Sequence, residues 1–394
     1  MEGYARLDPS MEDLAKKYVL FCKEGNLLPD RKMVKCSNPK ISIIIPMYNE
    51  ERNLLKVIRS IQNQSLQEIE IVCVNDNSND KTLPMLESFQ KEDPRITIIT
   101  NKYNRGVIYN RIYGAIQSKG EYVTFIDADD ALCNVEILEH AYFYATKKYN
   151  EKIEIIHYQT CGCSINEKGE MDPFAIFCTF NPFNFEQIIR APEITDNFWQ
   201  KKKNVTGSGF VFDKIYSRDL ILRVGDYLGP HIWNQNLIFV DDLLLAFGSM
   251  YCAKSIVNIG EIGYWHFMDS FTSTTSRIWD LDGDRLKEPD KTNKKLGDYM
   301  IIISRILELT ESDPDKGEFR EEIVKRLLKE GYIHVFARSV HYDALINLFE
   351  KLYNWKYVSE DAKTRIKSYV KMIIKYKLEP EKKYADIIKE IINY

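Results

Sequence analysis

Between residues 41 and 126, four short apolar runs alternate with stretches whose apolar residues recur at helical spacing. The runs are Ile41–Ile45, Ile69–Val74, Ile96–Ile99 and Tyr122–Ile126. Each is apolar at nearly every position rather than at every second one, which predicts strands buried on both faces. Between them, residues 50–63, 81–91 and 106–118 read as helices; in the first, Leu54, Leu55, Ile58 and Ile61 share one side. Strand, helix, strand in this order predicts an α/β fold with a mainly parallel sheet, helices on both faces and right-handed crossovers.

Ligands of such sheets bind beyond the carboxyl ends of the strands. The residues at those ends are polar in all four cases: Tyr48-Asn49-Glu50, then Asn75-Asp76-Asn77-Ser78, then Asn101, then Asp127-Ala128-Asp129-Asp130. The last cluster admits two readings. Three acids in four positions repel unless a cation compensates them, and Mg²⁺ or Mn²⁺ commonly joins one or two carboxylates to substrate phosphates. An acidic turn ahead of a helix, read here at residues 134–147, would look the same.

Composition narrows the function classes. The 394 residues are 44% hydrophobic, ample for a core, and the net charge of −4 comes from interspersed acids and bases. A nucleic-acid binder needs a basic face, so no nucleic-acid partner is expected. No apolar run approaches the length of a membrane span, and the N-terminus lacks a signal-peptide pattern. The expected location is cytoplasmic, with peripheral attachment to a membrane left open. Eight cysteines stand at no zinc spacing; Cys22, Cys73, Cys133 and Cys252 are expected to be buried thiols.

Three segments follow. Residues 1–40 hold a short amphipathic helix (10–24, capped by Ser10 with Asp13 three positions on) and a linker. Residues 41–280 form the main domain, irregular and aromatic-rich from about 151. Residues 281–394 are charged and helical, with apolar spacing at Tyr299–Leu309, Ile323–Leu328 and Ala344–Leu352, suited to packing on the core, protomer contact or partner contact.

Taken in order, Pro46-Met-Tyr48-Asn49-Glu50, Val74-Asn-Asp76-Asn-Ser78-Asn-Asp80, Asn104-Arg-Gly106 with Arg111 and Gly114, and Gly120 through Asp127-Ala-Asp129-Asp130 resemble the family 2 glycosyltransferases. The resemblance covers residues 41–130 without a break. It implies an inverting enzyme of the GT-A fold that uses a nucleotide-diphosphate sugar, usually a UDP-sugar, with Mn²⁺ or Mg²⁺. On the matching positions it implies that Pro46, Tyr48, Glu50 and Asp76 hold the nucleoside and Arg111 the diphosphate. Asp127, Ala128 and Asp129 would form the Asp-X-Asp element, with Asp127 and Asp129 as metal ligands. Two positions depart from the pattern: Asn75 replaces the first acid of the usual pair, and Ile112 replaces an asparagine.

Later matches are looser. Gly209 to Arg218 resembles a segment common in one branch of the family, with its lysine at Lys214. Asp241-Asp242 resembles the Glu-Asp element, so Asp242 is implied as the catalytic base that deprotonates the acceptor hydroxyl. An acid pair at a helix N-terminus is the other reading of Asp241 and Asp242. His266, in Gly263-Tyr-Trp-His-Phe ahead of Ser270-Phe-Thr272, is either a metal or phosphate contact or a packed core histidine. Trp199, Trp233 and Trp265 are either sugar-stacking or core residues, and Lys201–Lys203 read as a solvated loop.

The expected partners are a nucleotide sugar donor and an acceptor that is a glycan, a glycoprotein, a lipid-linked or a small molecule, with an oligomer through the C-terminal helices a further option. The alternative is a catalytically silent nucleotide-sugar binder of the same fold. A nucleotidyltransferase would need a glycine-rich phosphate loop after the first strand, and Pro46 to Glu51 contains no glycine.

Overall fold

The computed structural model describes residues 17–29, 31, 33–165, 177–178, 186–191, 193–194, 210–237, 241–269, 298, 301–311, 313, 349–350, 353–354, 358 and 360–376. The chain divides into two compact units, Met1–Leu237 with Leu245–Ser273, and Ile238–Leu244 with Thr274–Tyr394.

Helix α1 occupies residues 17–23; the expected cap at Ser10 lies outside the described residues. The alternating segment then folds as read. Strand β1 (Ile41–Met47) is followed by α2 (Leu54–Gln62), β2 (Ile69–Asn75), α3 (Thr82–Glu92), β3 (Ile96–Thr100), α4 (Val107–Gln117) and β4 (Tyr122–Phe125). These four strands are parallel in the order β3-β2-β1-β4. β1 lies between β2 and β4, and all seven of its residues are buried, which is why its sequence does not alternate. Helix α2 buries Leu54, Val57, Ile58 and Ile61, the spacing of one helical face. Burial of each such side chain contributes about 1.5–3 kcal/mol. Helix α4 lies so close to β1 that a Cβ on Gly114 would come within 2.6 Å of Ile44.

Beyond β4 the sheet becomes mixed. β5 (Ala131–Leu132), α5 (Ile137–Thr146), β6 (Ile155–Ile165), β7 (Phe177–Cys178), β8 (Ile188–Arg190) and β9 (Lys214–Ser217) are followed by α6 (Arg218–Leu228), α7 (Pro230–Trp233), α8 (Asp241–Cys252) and β10 (Ser255–Asp269). The main path runs β3-β2-β1-β4-β9-β6-β10-β5. β9 is antiparallel to both β4 and β6, β10 is parallel to β6, and β5 is antiparallel to β10. The parallel order expected from the sequence thus holds for the first four strands, and the stretch read as irregular supplies the mixed half.

Register aligns the strand ends. Met47 stands opposite Asn75, and Asn75 opposite Thr100, so the loops after β1, β2 and β3 leave the sheet at one level. The Ile126 amide bonds the Ile44 carbonyl, which brings the start of the acidic turn to the same edge.

In the second unit, residues 301–309 form helix α9, which buries Ile302, Ile303, Ile306 and Leu307. Glu360–Tyr376 forms helix α10, with Ile366 and Val370 buried. No helix among the described residues is long and apolar enough to cross a membrane.

Candidate active site

The loops after β1 and β2 are tied together by backbone-to-side-chain bonds. The Asn49 amide donates to Ser78 Oγ (3.0 Å), Glu50 to Thr82 Oγ1 (2.8 Å) and Glu51 to Asp80 Oδ2 (3.1 Å). In return, the Asn79 amide donates to Asn49 Oδ1 (2.9 Å) and the Lys81 amide to Glu51 Oε2 (3.1 Å). Asn49 and Asn77 take left-handed backbone angles, φ 60° and 62°, a region asparagine tolerates better than most residues. Pro46 is buried at the end of β1, and Tyr48 stands 48% exposed on the loop. Burial pushes the Glu50 carboxyl above its usual range; Asn53 and Lys56 oppose the shift, and Asp127 and Asp80 add to it.

Asp76 organises the next loop. It is buried, and Oδ1 accepts from Asn101 Nδ2 (2.7 Å) and the Arg105 amide (2.8 Å), while Oδ2 accepts from the Gly106 amide (2.9 Å). Gly106 sits at φ 85° and a Cβ there would press on Asn236, so glycine suits this position on two counts. Asn75, the departure from the family pattern, accepts the Ser78 amide at 3.2 Å and closes the turn without a charge.

The acidic turn divides its three carboxylates sharply. Asp130 is fully buried and saturated: Oδ2 accepts from the Tyr264 hydroxyl (2.7 Å) and pairs with His266 Nδ1 (2.9 Å), and Oδ1 accepts from the Phe267 amide (2.9 Å). Tyr264 also receives the Asp127 amide at 3.1 Å, so β10 clamps both ends of the turn. Asp127 pairs with the buried Arg111 guanidinium at 2.6 Å. Among the described residues, no group donates to the Asp129 carboxylate. Its carboxyl is pushed well above the carboxylate range by burial, then by Asp130, Asp127 and Glu50. Ala128 is buried between the two acids.

His266 is held in place by packing as well as by charge. Its ring stacks on Phe212 at 5.2 Å, and Phe212 stacks on Tyr264 at 4.5 Å. Burial alone would lower the imidazole's pKa, but Asp130, with Asp129 and Asp127 beyond it, raises it to about 9. Both readings of His266 meet here: it is packed among aromatics and also bonded to the acidic turn. Behind Phe212, Asp213 pairs with Lys214 and lies 3.3 Å from His157 Nε2, all three side chains being buried. Burial would raise the Asp213 carboxyl, and the Lys214 and His157 charges bring it down to about 2.

The structure therefore gathers Pro46, Tyr48, Glu50, Asp76, Arg111, Asp127, Ala128, Asp129 and His266 in the first unit, on loops at the sheet edge, on α4 and on β10. Asp242 lies in the first turn of α8 and belongs to the second unit. Trp265 is a core residue, Trp233 donates its indole N–H to the Gly225 carbonyl (2.9 Å), and Trp199 lies outside the described residues. Sequence reasoning missed Lys56, whose ammonium bonds the Asp129 carbonyl, and Tyr264. Lys56 is buried although it lies off the face formed by Leu54, Val57, Ile58 and Ile61, so the apolar spacing of α2 carries no signal for it.

Among the described residues, no three His, Cys, Asp or Glu side chains are already assembled as a metal cage. The donor set nonetheless suits a hard divalent ion. Asp129 offers an unengaged carboxylate disfavoured as an isolated charge, and Mg²⁺ or Mn²⁺ takes its remaining ligands from phosphate and water.

Comparison with known proteins agrees with this architecture. Residues 42–208 match the model of glycosyl transferase family 2. A GalNAc(5)-diNAcBac-PP-undecaprenol beta-1,3-glucosyltransferase of Campylobacter jejuni is 40% identical over 114 residues, 29% of this chain and 35% of that protein. A cholesterol galactosyltransferase of Borreliella burgdorferi is 28% identical over 240 residues, 60% of this chain and 63% of that protein. The chain spans 35% to 40% of the length of the first three relatives it matches. S. aureus TarS 1-349 in complex with UDP aligns with TM-score 0.55 and 18% identity, covering 90% of each chain. The fold is thus an open mixed α/β sheet similar to that of GT-A glycosyltransferases.

Proposed function

We propose, from the match of residues 42–208 to the model of glycosyl transferase family 2, that this chain moves a sugar from a nucleotide-diphosphate donor, a UDP-sugar, to an acceptor hydroxyl with inversion at the anomeric carbon. The observation that carries this reading is the acidic turn after β4. Its Asp130 is saturated by Tyr264, His266 and Phe267, and its Asp129 is left for a ligand.

The nucleoside is assigned to the linked loops after β1 and β2, with Tyr48 and Glu50 at its edge. Their cross-bonds fix the loop before ligand arrives, which reduces the entropy lost on binding. Arg111 shares its guanidinium between Asp127 and the donor's phosphates. Asp129 and Asp127 would hold the divalent ion, and His266, with Nδ1 committed to Asp130, has Nε2 left to donate to a phosphate oxygen or, on giving up its proton, to ligate the ion. When bound, that ion supplies positive charge to the leaving diphosphate.

Asp242 is the base. It takes the acceptor hydroxyl proton as the oxygen attacks the anomeric carbon from the face opposite the diphosphate. The bond from that carbon to the phosphate oxygen breaks with its electron pair remaining on the nucleoside diphosphate. The acceptor is a glycan, glycoprotein, lipid-linked or small-molecule hydroxyl. The PP-undecaprenol in the Campylobacter relative's name favours the lipid-linked class and a place at a membrane surface. The transferase domain is assigned to residues 41–280, and residues 281–394 to acceptor or protomer contacts.

The test is nucleoside diphosphate release from a panel of nucleotide sugars, in Mn²⁺, in Mg²⁺ and in chelator. Metal-dependent release from a UDP-sugar supports the reading. UDP binding without release, across lipid-linked and free glycan acceptors, favours the silent binder instead. Absence of both UDP binding and release overturns the donor site.

A further inference from the structure

Lys56 is an unusual component of this site. It lies on α2, is only 8% exposed, and directs its ammonium to the Asp129 carbonyl. The same ammonium stands 3.9 Å from the centre of the Phe267 ring. No carboxylate forms an ion pair with it among the described residues, although Asp130, Asp129 and Glu50 all act on it through space. A buried ammonium is costly unless charge compensates it. Here the compensation comes from a peptide dipole, a ring face and a group of acids that are themselves short of positive charge.

The local charge count explains the arrangement. Glu50, Asp127, Asp129 and Asp130 crowd one end of the sheet, and Arg111 answers Asp127 while His266 answers Asp130. Among the described residues Asp129 has no such partner, and Lys56 is the cation fastened to its own main chain. Phe267 closes the arrangement: its amide binds Asp130 Oδ1 and its ring covers Lys56. One strand therefore holds both the saturated acid and the lysine against the turn.

We propose that Lys56 is the resident counter-ion of the acidic turn, holding Asp129 in its metal-ready position while no divalent ion is bound and opposing that ion's charge when it arrives. The inference rests on the metal-assisted donor site proposed above. It makes Lys56 a positioning residue: it acts on substrate only through Asp129. Two consequences follow. The turn stays folded without metal because Lys56 offsets repulsion among the acids. Metal affinity is set below what the acids alone would give, because one fixed positive charge lies beside the ligand.

The experiment compares wild type, Lys56→Met and Lys56→Arg by thermal unfolding in EDTA and in Mn²⁺ with UDP, and by Mn²⁺ binding in the presence of UDP, read from the free-Mn²⁺ electron paramagnetic resonance signal. Lys56→Met is expected to melt lower than wild type in EDTA and to regain most of that difference in Mn²⁺ with UDP. It is also expected to bind Mn²⁺ roughly tenfold tighter or more, the scale of one unit charge a few ångströms away at the effective dielectric of a protein. Lys56→Arg keeps the charge and is expected to bind Mn²⁺ as wild type does. Equal destabilisation of Lys56→Met in both buffers, or unchanged or weaker Mn²⁺ binding, overturns the proposal and leaves Lys56 a packing residue. UDP binding by calorimetry in EDTA separates the two readings: wild type that binds UDP but no Mn²⁺ removes the metal from the donor site, whereas tight Mn²⁺ binding unaffected by Lys56→Met removes only the counter-ion role.

Discussion

His266 Nδ1 stands 2.9 Å from Asp130 Oδ2, at a carboxylate that the Tyr264 hydroxyl and the Phe267 amide also reach. Asp130 is thereby spent on fold, and its neighbour Asp129 is kept out of it. Substitution should separate the two. Asp130→Asn places an amide N–H against donors and is expected to cost about 2–4 kcal/mol in urea unfolding in chelator. Asp129→Asn removes one of several like charges and should leave stability within about 0.5 kcal/mol of wild type, or raise it. Donor turnover should nonetheless fall roughly 100-fold or more, as when a charge-stabilising group is removed. The opposite ranking of the two variants in stability would mean that Asp129, not Asp130, supports the turn.

The same pair predicts a pH signature. The folded imidazole titrates near 9, above its ordinary 6.5, because Asp130 overcomes the effect of burial. A raised pKa means that the pair's stabilisation is fully present below about pH 6.5 and is lost as pH rises through 9. In chelator, the melting-temperature gap between wild type and His266→Gln should therefore close across that interval. A gap that stays constant from pH 6 to 9.5 would indicate that His266 is neutral in the folded protein.

Asp213 behaves with the opposite sign. Lys214 and His157 hold its carboxyl near 2, below the usual 3.8, so its contribution is present above about pH 4 and disappears as pH falls to 2. Asp213→Asn removes the carboxylate that pairs with the buried Lys214 and is expected to lose about 3–5 kcal/mol at neutral pH in urea unfolding. The difference from wild type should shrink on acidification. Phe212 adjoins Asp213 and stacks on His266, so the variant's His266 proton resonance should also shift; an unmoved resonance would uncouple the two layers.

Asp242→Asn tests the assigned base. Sugar transfer should drop by roughly 10²–10⁴-fold, the range for loss of a general base, while UDP affinity measured by calorimetry stays at the wild-type value. Normal transfer by this variant would move the base elsewhere.

Much of the parallel half was legible because its physics is local. Ile41 to Ile45, apolar without alternation, can be little other than a covered parallel strand, and register then delivers Tyr48, Asp76 and Asp127 to one edge. The second half was harder to read. β6 and β10 carry His157, Gln159, Asn258 and Gly263 among their apolar residues, since a sheet face that buries a His157–Asp213–Lys214 network does not look hydrophobic in sequence. Lys56 and Tyr264 escaped for a related reason: each reaches the acidic turn from another element, and neither adjoins it along the chain. Asp76 is expected as a site residue from its motif, and its bonds to the Arg105 and Gly106 amides show a structural duty that no motif encodes.

Strand β10 imposes one more constraint, on how this protein can change length. Tyr264 and His266 point to the acidic turn, whereas Trp265 belongs to a separate apolar cluster with Val19, Ala131 and Cys161. Side chains alternate along a strand, so inserting or deleting one residue between Gly263 and Phe267 would exchange these faces. An indole would then confront the acids and an imidazole would enter the apolar cluster. Point substitutions can be absorbed one at a time, but here an indel of a single codon would dismantle the turn's support in one step. Any lineage carrying this site should hold the spacing across these five positions fixed, even where the amino acids themselves drift.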